Sequence, residues 1–214
     1  NTVNAYYVPM RNSMTFPSGI LQPPFYSSSY PPALKYGGIG VVMGHELSHA
    51  FDDHGSRYNA TGFLHKIWTK ESSKEFEKRT DCLVDLFNSY QVRGVDENVD
   101  GGLTLGENIA DSGGIRTSFR ALHTYLNEHP EDKIDPKEWE GYDDEHFFFI
   151  QIAQMYCYQA TDSDKRLLLE TDVHSPGEYR VQGMLSQYDE FSRVFQCKKG
   201  TTYNPEKKCV VWEG

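Results

Sequence analysis

The 214 residues carry 21 Lys and Arg against 31 Asp and Glu, a net charge of −10, with 38% hydrophobic and 14% aromatic residues. That apolar share is enough for a core and excludes general disorder, while the acidic balance speaks against a phosphate-backbone partner, so no nucleic acid is expected. No apolar run reaches the roughly 20 residues that span a bilayer, and the length fits one domain or a piece of something larger.

Residues 1–38 are rich in Pro, Gly, Ser and Tyr, and Pro9, Pro17, Pro23, Pro24, Pro31 and Pro32 forbid long helices there. Val3 to Val8 reads as an extended edge strand. Gly37-Gly38 opens the first strong helical pattern, in which Ile39, Val42, Met43, Leu47, Ala50 and Phe51 recur at helical spacing. Asp52-Asp53-His54-Gly55 ends it, with Gly55 as C-cap. A second helix is expected from about Lys70 to Tyr90, burying Phe76, Leu83, Leu86 and Phe87. A polar loop, 93–102, leads to a third helix from Thr104 to about Leu126. After another polar loop, 127–142, a fourth helix runs from about Asp143 to Ala160. It is apolar nearly all round, which implies deep burial. A short helix from Ser186 to Phe195 and an irregular tail follow. The class is mainly α with a small β element.

Four cysteines are present, Cys82, Cys157, Cys197 and Cys209, with no CxxC spacing that would mark a structural zinc knuckle. Asn59-Ala60-Thr61 is a glycosylation sequon in a loop. Both features lean toward an extracellular setting.

The chemistry concentrates at His45-Glu46-Leu47-Ser48-His49. Residues four apart share a helix face, so both imidazoles can point at one metal ion, and Glu46 beside them can act on a water there. This is the HExxH arrangement of zinc peptidases. The plain alternative is a pair of surface His with a Glu between them. Val41, Val42, Met43, Leu47 and Phe51 argue for a buried helix instead, and buried His and Glu need partners. A catalytic zinc takes three protein ligands. Glu107 could be the third, with Asp111 one turn on to hold a ligand His through its other ring nitrogen. Thr104-x-x-Glu107 also fits a capping box, and the sequence physics leaves both readings open. Asp52 is open in the same way, between a partner of His49 and a solvated helix end.

Several segments resemble, in order, the signature motifs of the neprilysin and endothelin-converting-enzyme peptidases. They are Asn4-Ala5-Tyr6-Tyr7, Phe16 through Phe25, Gly44-His45-Glu46-Leu47-Ser48-His49-Ala50-Phe51-Asp52-Asp53, Gly106-Glu107-Asn108-Ile109-Ala110-Asp111, Asp172 through Arg180, and Cys209-Val210-Val211-Trp212. The resemblance spans nearly the whole chain. It implies a gluzincin (thermolysin-like) zinc endopeptidase that cuts on the amino side of large hydrophobic residues. One Zn2+ per chain would be held by His45, His49 and Glu107. Glu46 would be the general base, and Asp111 and Asp52 would orient the ligand His. His174 would stabilise the oxyanion and Arg180 would bind a substrate carbonyl or carboxylate. Asn4 and Ala5 would pair with the substrate backbone as an added strand. Ile20, Phe25, Val42, Met155 and Tyr156 would line the pocket after the scissile bond. Without the resemblance, those five read as plain core, His174 as a loop residue and Arg180 as a surface charge.

The same resemblance matches the chain to only the C-terminal third of family members. Residues 1–38 would then be an irregular, edge-strand substrate-binding segment, 39–126 the zinc-binding helices, and 143–212 the C-terminal helices and tail. Peptide substrates and the missing N-terminal lobe of the same protein are the implied partners. The parent would be membrane-anchored, at the extracellular face of the plasma membrane as a type II ectodomain, or secreted. Cys82 would pair with Cys209, while Cys157 and Cys197 would pair with cysteines upstream. Family chains usually end at the Trp matched by Trp212, so Glu213-Gly214 are additional. A non-catalytic binding or antigen module that retains the peptidase fold is the alternative function.

Overall fold

A computed structural model describes residues 2–212; Glu213 and Gly214 lie outside them. Strand β1 (Tyr6–Val8) pairs antiparallel with β2 (Ser13–Thr15), with Tyr7 opposite Met14. Asn12 takes the left-handed conformation (φ 45°) that the connecting turn requires. Helix α1 (Pro32–Lys35) runs through a wide π-type turn over residues 36–40 into α2 (Val41–Ser48). A tighter 3-10 turn then carries the chain through Phe51. The helix expected as one piece from Gly37 is therefore broken, with non-helical backbone at Gly38. Gly55 is not a left-handed C-cap either. It lies against the His49 carbonyl oxygen, so close that a Cβ could not fit.

Helix α3 (Lys70–Asn88) starts at Thr69, whose side chain accepts from the Ser72 amide. Leu83 and Phe87 are buried, while Phe76 and Leu86 are only half-buried against them. Helix α4 (Leu105–Glu128) follows, and then a loop holding two single turns. Helix α5 (Asp144–Met155) begins with a capping box between Asp143 and His146. It ends at Met155, short of the expected Ala160, and Tyr156 already leaves helical geometry. Two helices were not expected, α6 (Asp162–Thr171) and α7 (Gly177–Ser186). The last, α8 (Asp189–Val194), is shorter than the expected helix from Ser186. α6 buries no residue fully, and its ten residues carry only the three consecutive leucines 167–169 as apolar side chains.

The largest core lies between α4, α5, α7 and α8, where Ile115, Phe119, Leu122, Phe148, Phe149, Ile152 and Leu185 meet. Phe148, Phe149 and Ile152 are almost completely buried, each contributing about 1.5–3 kcal/mol by removal from water. A second core joins α3 to the tail through Leu83, Phe87, Ile109, Cys209 and Val211, and the Cys82–Cys209 disulfide closes it. Ala5, Ile20 and Ile39 form a third, small core that fastens the hairpin segment to the start of α2.

Candidate metal centre and cleft

Helices α2 and α4 touch along their backbones. A Cβ on Gly44 would fall 2.9 Å from the Gly114 carbonyl oxygen, and one on Gly114 would fall 2.8 Å from the His45 amide. Only glycine permits this approach, and it sets the register of the whole site. His45 comes to face Glu107 and Asp111 on α4, and His49 reaches the same point from one turn further along.

His45 Nδ1 lies 2.8 Å from Asp111 Oδ1, and His49 Nδ1 lies 2.7 Å from Asp52 Oδ2. Asp52 is fixed in turn by the His54 and Gly55 amides, which donate to its Oδ1. With each Nδ1–H donated to a carboxylate, the neutral rings turn their Nε2 lone pairs inward. The two Nε2 atoms stand 3.0 Å apart, and Glu107 oxygens lie 3.1 Å and 3.6 Å from them. Three lone-pair donors thus converge, all within 4.8 Å of one another, with carboxylates behind both rings. Two Nε2 atoms 3.0 Å apart cannot both carry hydrogen toward each other, so protons satisfy these short approaches only in part, and a divalent cation satisfies all three. Two imidazoles and a carboxylate fit zinc.

The electrostatics agree. Burial works to raise the Glu107 pKa, but His174, His45 and His49 outweigh it and hold the carboxyl far below the usual range. Burial opposes ionisation of Asp111 too, yet Arg180 and His45 hold it down to about 2. The polypeptide alone pushes His49 up to about 10, because Asp52 and Glu107 overcome the burial that disfavours its charge. The cluster is therefore a locus of fixed negative charge that calls for a cation. The capping box at Thr104 is not formed. Thr104 makes no side-chain cap bond, and Glu107 points to the imidazoles.

A cleft of about 400 Å³ opens over this cluster. His45, Glu46, His49, Glu107, His174 and Arg180 line it, and so do Asn4, Ala5, Ile20, Phe25, Val42, Met155 and Tyr156. Asp111 stands behind His45, 2% exposed, and receives a two-pronged hydrogen bond from Arg180 (2.8 and 2.7 Å). Arg180 also lies over the Tyr156 ring, 4.6 Å from its centroid. Asn4 uses its side-chain oxygen to accept from the Ala5 amide. Glu46 is buried, and burial raises its pKa, with the neighbouring imidazoles pulling the other way. His174 Nε2 stands 3.2 Å from Glu107 Oε2. Asn59, elsewhere, accepts from the Thr61 and Phe63 amides in its turn. Cys157 is exposed and Cys197 half-buried, both as free thiols.

Asp172 belongs with this cleft, although the sequence reading passed over its side chain. Its Oδ1 accepts from the His174 amide (2.9 Å) and lies 2.7 Å from His174 Nδ1. The Asp-x-His spacing, which suits a side-chain turn, was the available signal. Gly113-Gly114 was another, since glycine in mid-helix costs about 1 kcal/mol each and marks a close approach.

Residues 4–211 match the model of peptidase family M13. The chain belongs to that family. It is 44% identical over 210 residues to Neprilysin-1 of Caenorhabditis elegans, covering 98% of this chain and 28% of that protein. It is 46% identical to endothelin-converting enzyme 1 of Rattus norvegicus, again covering 98% of this chain and 27% of the relative. Among solved structures, the zinc metalloprotease Zmp1 of Mycobacterium tuberculosis, in complex with an inhibitor, superposes with a TM-score of 0.91 at 34% identity. That match covers 99% of this chain and 32% of the other. This M13 chain thus spans less than a third of the length of these relatives.

Proposed function

We propose that this chain carries the catalytic centre of a zinc-dependent endopeptidase that cuts peptides on the amino side of hydrophobic residues. The observation that carries the proposal is the convergence of His45, His49 and Glu107 on one point at the floor of a cleft with apolar walls. When bound there, zinc supplies Lewis acidity that acidifies a water and polarises a carbonyl.

The remaining work falls to the side chains. Glu46 takes the water's proton and passes it to the leaving amine; its raised pKa moves it toward the neutral range where a general base works best. The Glu107 carboxylate, and secondarily Asp172, raise the His174 pKa against its burial. With Nδ1 on Asp172, the ring turns its Nε2–H toward Glu107 and the cleft, from which it would be handed to the developing oxyanion, an interaction worth about 10²–10³-fold in rate. Asp111 and Asp52 keep the two ligand imidazoles in one tautomer. Arg180, already committed to Asp111 through Nε and Nη2, offers its remaining edge to a substrate carbonyl. Asn4 and Ala5, just ahead of β1, offer backbone for a peptide to pair with. Ile20, Phe25, Val42 and Met155 favour an apolar side chain, and the Tyr156 ring forms the wall beside Arg180.

The Cys82–Cys209 bond and the Asn59 sequon support an extracellular setting for the longer protein. No helix of the described residues is long and apolar enough to cross a membrane, so we assign any anchor, and the lobe that would cover the cleft, to polypeptide beyond these residues. The test is cleavage of a quenched fluorogenic peptide by the longer protein, with and without a chelator. Glu46→Gln should bind zinc normally and lose at least about 10²-fold in kcat. Full turnover in that variant sinks the mechanism. Zinc binding with no turnover in the unsubstituted protein would instead favour a binding module.

A further inference from the structure

Three polar side chains beside the cluster are more deeply buried than His45, His49 or Glu107. Thr104, Asn108 and Ser175 are 3%, 2% and 2% exposed. Groups of this kind are found inside proteins hydrogen-bonded, and here they bond in one line. Ser175 Oγ donates to Asn108 Oδ1 (3.0 Å), Asn108 Nδ2 donates to Thr104 Oγ1 (2.9 Å), and Thr104 Oγ1 donates to the Asp100 carbonyl (2.8 Å). Each hydroxyl has one hydrogen, so the direction is forced from the far end. Thr104 commits its hydrogen to Asp100 and must accept from the Asn108 amide. Asn108 therefore turns its carbonyl to Ser175, which must donate.

The line joins two segments 67 residues apart in sequence. Asn108 follows Glu107 in α4, and Ser175 follows His174 in the loop before α7. Asp172 holds His174 Nδ1 from within that loop, which fixes the ring but not the loop. Apart from His174 itself on Glu107, what fixes the loop to α4 is Ser175 on Asn108 and, beyond Pro176, Arg180 on Asp111. His174 sits next to the first of these two attachments.

We propose that Ser175 and Asn108 are positioning residues for the peptidase reaction. Their hydrogen bond holds His174 at its working distance from Glu107 and from the reacting carbonyl. The inference rests on the role given to His174 above, and it adds residues that contact neither metal nor substrate.

The longer protein is the material for the test. Ser175→Ala should lower kcat by about 10–100-fold, since a misplacement near 1 Å costs about that much. KM should stay within about threefold and zinc content should be unchanged. Ser175→Thr keeps the hydroxyl and should retain most of kcat. In a His174→Ala background, Ser175→Ala should cost less than about twofold, because the group it positions is gone. An equal loss in both backgrounds, or a loss carried by KM or by zinc content, overturns the inference. Asn108→Ala attacks the same bond from α4 and should give the same split, which serves if Ser175→Ala fails to fold. Hydrogen exchange supplies a readout independent of turnover. In Ser175→Ala the amides of residues 173–175 should exchange at least about tenfold faster while α4 stays protected. Unchanged exchange overturns the clamp whether or not the protein cleaves peptides. Absent cleavage by the unsubstituted protein would count against the peptidase reading alone.

Discussion

The two faces of α2 contradict ordinary amphipathic expectation. One face carries His45 and Glu46, polar residues that are 6% and 5% exposed. The other carries Met43 and Leu47, with Phe51 in the following turn, and each of these apolar side chains is close to half exposed. The sequence reading expected those three residues to help bury the helix, and the structure turns them outward. Leu47 and Phe51 border a groove of about 370 Å³ in which the half-buried Trp212 and Arg116 also lie. The inward face is chosen by partners rather than by hydrophobicity. Asp111, Asp52 and Glu107 satisfy the imidazoles, and Gly44 lets α4 come close enough to deliver two of those carboxylates. A polar face can be buried when its hydrogen bonds and charges are met in place.

That contrast yields an ordered set of expectations. The largest effects belong to the inward face. Glu107→Ala or His49→Ala should abolish stoichiometric zinc in metal analysis and with it peptide cleavage, and a variant that keeps full zinc would remove that residue from the ligand set. Asp111→Asn should come next. It leaves the buried Arg180 without its carboxylate, a change that typically costs about 3–5 kcal/mol. It should also weaken zinc binding by about 10–100-fold. Denaturant melts and competitive zinc titration measure the two effects separately. Gly114→Ala should cost about 1–3 kcal/mol by wedging α2 from α4, visible as a lower melting temperature together with weaker zinc binding. An unchanged melt would mean that the close approach is not needed. Cys82→Ser tests a region far from the cleft, the tie between α3 and the tail. It should cost about 2–5 kcal/mol and leave the zinc affinity of the folded protein unchanged. The smallest effect belongs to the outward face. Leu47→Gln in the 214-residue chain should shift stability by no more than about 0.5 kcal/mol. A loss of several kcal/mol there would show that this face is buried in solution.

Much of the site was legible before any coordinates. The i, i+4 spacing of His45 and His49 needs only a helix, and the helix needs only its apolar repeat. Helix spacing offered Glu107 and Asp111 as one of two open readings, the resemblance favoured it and added His174 and Arg180, and all four stand in the cluster around His45. The long helices α3 and α4 were readable because each carries apolar residues at intervals over many turns. Helices α6 and α7 were not. α6 is short and its apolar residues are three leucines in a row rather than a repeat over several turns, and α7 starts from Pro176 with no side-chain cap.

The sequence by itself therefore determined the pair of imidazoles, the helical class and the candidate base, because these depend on residue type and on spacing within one element. The tertiary structure decided the rest. It turned Glu107 toward the imidazoles rather than into a capping box, exposed Met43, Leu47 and Phe51, and joined Ser175 to Asn108. Each of these outcomes depends on two segments distant in sequence meeting at van der Waals distance. The mid-helix Gly114 allows that meeting at the metal centre, and local propensity carries no term for it.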